Sequence, residues 1–319
     1  MLNKFIRDFV EGDQVLGFFV LRKKETKVKK DGSPYLSLEL GDRTDRIRGT
    51  LWESSPDLAR QFNVGDVLKI QGIVISYQEE LYIKIEKLRK AVPQDNIDLK
   101  QFLPETDKDV RILSLRLFSI IDSLQSEIIK KLLRNIFDDI DFKNKFMQAP
   151  AAKLWHQNYI GGLLEHTLQV TEICDKVLVY YKNVNRDILI AGSLLHDIGK
   201  VFELSMEGFI DYSDKGRLIG HVMMGYEYVA RKISELPELP EPVANQILHI
   251  ILSHHGEKEQ GAPVVPMTLE AMIMHGADYL DSQASAFVRI IQKEKESGSK
   301  WSKYVNLIDR YIYMGEDKK

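Results

Sequence analysis

The sequence has a single cysteine, Cys174, which excludes an intrachain disulfide framework and fits a reducing cytosol. It has no apolar run of membrane-spanning length. Its first residues carry Lys4, Arg7, Asp8, Glu11 and Asp13, which interrupt any apolar core of a signal peptide, so export is not expected. It has no internal repeat and no low-complexity tract. It also lacks a charge of one sign: 44 Lys+Arg stand against 47 Asp+Glu, for a net charge of −3. Taken at face value that balance argues against a nucleic-acid binder. What is present is an ordinary globular mix, 44% hydrophobic and 29% charged, over 319 residues. That length suggests about two domains and a core large enough to need no staples. A cytoplasmic location is the expectation.

Residues 1–90 read as β-rich: 15–21 is a short apolar run, 35–40 and 46–52 alternate apolar and polar with period two, and 67–76 and 81–88 complete five predicted strands. Asp31-Gly32-Ser33-Pro34 and Gly41-Asp42 supply turns between them. Residues 54–62, with Ser54 or Ser55 as N-cap, predict one helix after the third strand. Five strands with one helix in that place is the order of an OB-fold barrel. Residues 91–109 are polar and irregular and are assigned to a linker. From residue 110 the period becomes helical. Helices are expected over 110–124, 126–137, 142–148, 162–181, 186–199, 220–235, 242–254 and 268–296, with a small hairpin over 202–212. The aromatic tail, 301–313, suggests a further helix and offers a surface for oligomerisation. The fold class is therefore multidomain α+β: an OB-fold domain over 1–90, then an all-α domain over 110–319.

The chemistry sits in the histidines. His196-Asp197 follows an apolar helix within Leu194-Leu195-His196-Asp197-Ile198-Gly199-Lys200. His166 lies one helix earlier, His221 opens the helix after the hairpin, His254-His255 close the next one, and Asp278 lies within the one after that. Imidazoles and carboxylates without thiolates suit Mn, Fe, Co or Zn. Seven such groups are too many for one open catalytic metal and suit two, with Asp197 as the natural bridge. Lys200, three residues after Asp197, is placed to face a phosphate as a point charge; the competing reading is a lysine at a helix C-terminus after a glycine terminator. Glu165 is either an orienter of a neighbouring imidazole or a solvated helix glutamate. His275 is expected to be a satisfied core histidine rather than a partner of the ligands, and His249 structural or exposed; for His156, just before the Gly-Gly turn, an approach to substrate is the minority reading, and Cys174 is read as a small buried hydrophobe.

The order His, His-Asp, His, His-His, Asp resembles the HD-domain metal-dependent phosphohydrolases. The whole chain looks like the YhaM family of 3′→5′ exoribonucleases, which joins an N-terminal OB-fold to an HD domain. The stretches that carry the likeness are Gly161-Gly162-Leu163-Leu164-Glu165-His166-Thr167, Leu195-His196-Asp197-Ile198-Gly199-Lys200 and Ser253-His254-His255-Gly256. The resemblance implies one metal on His166, His196, Asp197 and Asp278, and a second on Asp197, His221, His254 and His255. It implies two divalent ions, typically manganese, with Fe, Co or Zn as alternatives. It also implies hydrolysis of single-stranded RNA, with single-stranded DNA as a second substrate, to nucleoside monophosphates; a two-metal-activated water is the expected nucleophile, and Asp197 and, from its spacing, Lys200 are the candidate catalytic residues.

A competing reading is a phosphohydrolase of a nucleotide or cyclic dinucleotide with a regulatory OB-fold. The HD-GYP phosphodiesterases share the ligand order, but here Gly256-Glu257-Lys258-Glu259-Gln260-Gly261-Ala262-Pro263 follows the histidine pair without their Gly-Tyr-Pro element. A third reading, a non-catalytic nucleic-acid-binding factor, leaves the convergent polar groups without a purpose.

The near-neutral balance is an average over unlike parts. Residues 1–90 hold 17 Lys+Arg against 14 Asp+Glu, a surplus of three, and the remaining residues carry a deficit of six. Residues 22–30 hold six positive charges against one negative and are expected to form the loop between strands one and two, which OB-folds use to grip oligonucleotides. Lys23, Lys24, Lys27, Lys29 and Lys30, with Tyr35 and Trp52 for base stacking, are the candidate nucleic-acid contacts. Phe18, Phe19, Tyr77 and Tyr82 are divided between core and surface in a way the sequence leaves open.

Overall fold

A computed structural model of the chain describes residues 4–53, 56–77, 80–97, 102–153, 155–206, 209–294, 299–306 and 308–315. The chain folds into two compact units, residues 1–104 with 205–211, and residues 105–204 with 212–319.

The first unit is a closed barrel of β1 (Gln14–Val28), β2 (Pro34–Gly41), β3 (Arg46–Leu51), β4 (Val67–Tyr77) and β5 (Glu80–Lys90), in the order β1-β2-β3-β5-β4. Neighbours pair antiparallel except β3 and β5, whose parallel pairing closes the ring. The period-two pattern is realised directly. In β3, Ile47, Gly49 and Leu51 turn inward while Arg46 and Arg48 face water. Leu36, Leu38, Leu40, Leu68, Ile70, Val74 and Ile83 form the barrel core. Phe19 belongs to that core, whereas Tyr77 is exposed. The one short helix, α1 (Pro56–Arg60), lies between β3 and β4; its proposed caps, Ser54 and Ser55, lie outside the described residues.

The basic run is not a loop. Residues 22–28 continue β1, paired with β2 through a register shift between Leu21 and Lys23, and the turn falls at Lys29–Ser33. Backbone pairing with β2, from Lys23 opposite Glu39 to Val28 opposite Pro34, extends the strand where solvated side chains suggested a loop. Lys23 and Lys27 each pair with Glu25, at 2.6 and 3.3 Å. Lys24 donates to the carbonyls of Ala59, at 2.9 Å, and Phe62, and so satisfies groups left open at the end of α1.

The second unit is helical. It comprises α2 (Val110–Asp122), α3 (Glu127–Phe137), α4 (Ile140–Gln148), α5 (Gly162–Val177), α6 (Arg186–Leu195), α7 (Lys200–Glu203), α8 (Asp214–Ile219), α9 (His221–Ser234), α10 (Glu241–Ser253) and α11 (Leu269–Glu294). Side-chain caps fix several starts: Ser126 accepts from the Ile129 amide, Asp139 from Phe142 and Asn185 from Asp187 and Ile188. α3 shows why these segments coil: Ile129, Leu132, Leu133, Ile136 and Phe137 recur at helical spacing and are all buried. Phe137, Phe142, Phe146 and Tyr228 pack ring against ring, with Phe142 and Tyr228 stacked at 4.8 Å. The hairpin after α7 forms, as β6 (Leu204–Ser205) and β7 (Asp211–Tyr212), with Glu207 and Gly208 outside the described residues.

Two helical expectations fail. The helix expected over 186–199 stops at Leu195, and residues 196–199 form a turn before α7 begins. The tail forms no helix among its described residues. Trp301 bridges Tyr313 and Val305 bridges Arg310, antiparallel, with Ser302 and Ile312 turned inward. Alternating inward and outward residues favour an extended pairing there.

Candidate metal centre

Five helical ends and faces of the second unit deliver His166, His196, Asp197, His221, His254, His255 and Asp278 to one place. His166 rides on α5, which opens at Gly161-Gly162. A Cβ on Gly162 would lie 2.0 Å from the carbonyl oxygen of Gln157, so only glycine lets the incoming segment turn this tightly into the helix. His196 and His254 follow the last turns of α6 and α10. Each places Nδ1 2.7 Å from the carbonyl three residues earlier, Ser193 and Ile251. A helix end leaves such carbonyls without partners. The imidazole therefore donates through Nδ1 and presents the lone pair of Nε2. The same orientation recurs at His255, whose Nδ1 meets the Gln260 carbonyl at 3.0 Å. His221 opens α9; Glu203 accepts from its backbone amide at 3.0 Å and from its Nδ1 at 3.1 Å. That carboxylate caps the helix and fixes the ring together.

The Nε2 atoms converge on Asp197, and its two oxygens are divided between them. Oδ2 lies 3.4 Å from Nε2 of both His166 and His196. Oδ1 lies 3.5 Å from Nε2 of both His221 and His254. Asp278 Oδ1 sits 3.1 Å from His166 Nε2 and 3.9 Å from His196 Nε2. His255 packs its ring 4.3 Å from that of His254 and 5.1 Å from that of His221. Two groups result, each with its candidate atoms within 4.8 Å of one another: His166 with His196 and Asp197, and His221 with His254 and His255.

The set fits divalent metal. Asp197 Oδ1, His221 Nε2 and His254 Nε2 are buried with no hydrogen-bond partner, a costly arrangement unless something binds them. The donors are imidazole nitrogens and carboxylate oxygens, which suit Mn, Fe, Co or Zn.

The protonation of these groups follows their neighbours. Burial opposes charge on His166, but Asp197, Asp278 and Asp281 outweigh it and hold its proton well above the ordinary histidine range. Burial likewise works against the carboxylate of Asp278, yet the hydrogen bond from His166 and the nearby imidazoles keep it well below the usual range. Burial pushes His255 down to about 3, aided by His254 and His221.

Lys200 begins α7 rather than ending α6, so the helix-terminal reading fails. Its Nζ lies 2.5 Å from Asp197 Oδ2 and its side chain is 11% exposed. Burial opposes its charge, and Asp197 more than offsets that, holding the ammonium above its usual value.

Glu165 fits neither expectation. It is buried and holds Thr106 Oγ1 at 2.7 Å, Lys108 Nζ at 2.7 Å and Tyr159 Oη at 3.1 Å. His249 accepts from the Met267 amide through Nε2 and is structural. His275 donates through Nδ1 to the His254 carbonyl and also lines the pocket over the centre. Cys174 is buried, and burial raises its thiol.

Three residues that matter here were not singled out from the sequence. Asp281 accepts from His166 Nδ1 at 2.7 Å. Its position one helical turn after Asp278 on α11 was the available signal. Glu203, at the end of the four-residue α7, and Gln157, in a turn before α5, had none, because only the fold brings them to the site.

In the barrel, the rings of Tyr35 and Trp52 stack 4.9 Å apart at 28°, and Trp52 is 40% exposed. Lys29 and Lys30 stand at the adjoining turn.

Comparison with known proteins agrees with both units. The family model described as HD domain matches residues 163–283. The model described as OB-fold nucleic acid binding domain matches residues 19–91. The chain thus joins an OB-fold nucleic-acid-binding domain to an HD phosphohydrolase domain, a metal-dependent hydrolase by class. Among solved structures it is similar to the second OB-fold domain of replication protein A from Methanococcus maripaludis, with 26% identity over 28% of this chain and 94% of that one and a TM-score of 0.23. It is also similar to an OB domain from Thermoplasma acidophilum, with 19% identity over 30% of this chain and 88% of that one and a TM-score of 0.22. Among the described residues no helix is long and apolar enough to cross a membrane.

Proposed function

We propose that this protein is a 3′→5′ exoribonuclease that shortens single-stranded RNA, and single-stranded DNA as a second substrate, to nucleoside monophosphates. The observation that carries the reading is the divided carboxylate of Asp197, one oxygen toward each imidazole group, with buried nitrogens left unpaired around it. One divalent ion would be held by His166, His196, Asp197 and Asp278, and a second by Asp197, His221, His254 and His255, with manganese as the physiological choice. Such ions supply charge neutralisation on a phosphate and a nucleophile at neutral pH. The protein's own part is to fix each ring by its Nδ1 bond, so that Nε2 faces inward without reorganisation, and to hold Lys200 as a cation toward the phosphate.

We assign residues 1–90 to strand binding, 91–109 to a linker and 110–319 to hydrolysis. Tyr35 and Trp52 are positioned to stack on bases and Lys29 and Lys30 to meet phosphates. Lys23 and Lys27 are weaker candidates because Glu25 already pairs with them, and Lys24 is engaged by backbone carbonyls. The cytoplasm is the compartment where such a substrate is met.

The test is digestion of end-labelled single strands while Mn²⁺ is titrated. Release of monophosphates from the 3′ end supports the reading. Intact strands alongside hydrolysis of free nucleotides or cyclic dinucleotides would replace it with the small-molecule alternative.

A further inference from the structure

Beside the proposed metal ligands lies a pocket of about 340 Å³, at the small end of the range for cavities that hold one small molecule. Part of its wall comes from Trp155, His156, Tyr279, Ser282 and Gln283, none of which belongs to the ligand set.

The protonation pattern of His156 follows from its neighbours. Asp281 Oδ2 can only accept, so the Gln157 side chain must turn its amide nitrogen to it, at 3.2 Å. The same nitrogen lies 2.6 Å from Gln169 Oε1 and 3.2 Å from Ser285 Oγ, so its two hydrogens are shared among three acceptors. The Gln157 oxygen therefore faces His156 Nδ1, at 2.8 Å, and the proton of that ring lies on Nδ1. Nε2 is left as a bare acceptor, with no hydrogen bond among the described residues. His156 is 7% exposed and its ring packs 4.5 Å from that of His166. One carboxylate, Asp281, thus sets the orientation of a proposed ligand directly and of His156 through Gln157.

A fixed acceptor at the edge of a phosphate-handling centre calls for a donor on the ligand. The aromatic surfaces of Trp155 and Tyr279 call for a flat ring, and Ser282 and Gln283 for polar edges. A nucleoside 5′-monophosphate offers all three: a base to stack, polar base edges, and sugar hydroxyls to donate. We propose that this wall holds the terminal nucleoside of the strand, with His156 Nε2 accepting a hydrogen bond from its 3′-hydroxyl. Either kind of strand carries that hydroxyl, and so does the released product. The backbone that presents the wall is pinned: Arg289 donates to the Trp155 carbonyl at 2.6 Å and to Asn158 Oδ1 at 2.5 Å.

The inference rests on the strand-shortening reading for its choice of ligand, and its test is a binding measurement that does not need turnover. Calorimetric titration of the Mn²⁺-loaded chain with 5′-AMP and with 3′-deoxy-5′-AMP should show the hydroxylated form binding about tenfold tighter, the usual size of one buried hydrogen bond. His156→Phe should bind the two alike. His156→Gln, which returns an acceptor near the position of Nε2, should recover part of the preference and covers the case in which the Phe variant does not fold. Trp155→Ala should weaken both ligands equally. Equal affinity of the unaltered chain for the two nucleotides, or an undiminished preference in folded His156→Phe, would overturn the proposal. A chain that passes this test yet leaves strands intact would overturn the strand-shortening reading and leave this one standing.

Discussion

Asp197 makes two sets of contacts through two oxygens, and no single-donor side chain can replace both. Asp197→Ala should lower hydrolysis of a 3′-labelled strand by about three orders of magnitude or more while leaving strand binding largely intact; full activity would sink the proposed mechanism. Asp281 makes no proposed metal contact, yet it fixes the ring of His166. Asp281→Asn should weaken Mn²⁺ binding about 10–100-fold, read by calorimetric titration. His255 offers a test without metal. Its pKa lies at about 3 in the folded chain against 6.5 for the ordinary group, so below 6.5 the unfolded chain takes up a proton that the folded one refuses. The stabilising contribution is complete above about pH 6.5 and is lost as pH falls toward about 3. Stability of the metal-free chain should therefore drop on acidification by up to about 1.4 kcal/mol per pH unit from this group, less what partial exposure screens. His255→Leu should show a shallower slope between pH 6.5 and 5 in urea titrations, and parallel slopes would refute the assignment.

At the scale of elements, the turn between α6 and α7 is the point of closest approach in the site. A Cβ on Gly199 would lie 1.9 Å from the His221 carbonyl and 2.6 Å from the Gly225 amide. Its φ of −65° is helical, so glycine is required there for proximity to α9 and not as a helix terminator. Gly199→Ala should cost about 1–3 kcal/mol, measured by denaturant midpoint, and should weaken metal binding because His221 is displaced with its backbone. The same turn shows what sequence periodicity misses. Apolar spacing continued through Ile198, so the pattern extended α6 to residue 199, while the backbone left the helix at His196 to aim two ligands. The basic strand and the tail failed for a related reason. The charged run in β1 and the aromatic spacing near Trp301 are compatible with more than one local structure, and long-range pairing with β2 or with Tyr313 decides it. By contrast, α3 and β3 were legible because one face of each is buried without interruption.

At the scale of the whole molecule, the barrel and the helical unit were legible because their periods differ, two against 3.6, and because the histidine motifs stand at helix ends. The residues that hold those histidines in place were less so: Glu203 and Gln157 act through folded proximity and leave no spacing to read, and only Asp281, one helical turn after Asp278, left a signal. In the core of the helical unit Phe146 is fully buried against the rings of Phe137 and Phe142. Phe146→Ala should destabilise that unit by about 3–5 kcal/mol, seen as a lower urea midpoint at unchanged slope; a loss below about 1 kcal/mol would mean the cavity collapses freely.

The groups around Asp197 are drawn from positions 166 to 278 of the chain. No contiguous fragment much shorter than that span contains them all, and the last arrives on α11. During synthesis from the N-terminus, metal capture at full strength must therefore wait until Asp278 has been added and α11 has docked. On the proposed ligand set, a chain interrupted within α10 would lack His254, His255 and Asp278, so both ion positions would be incomplete at once.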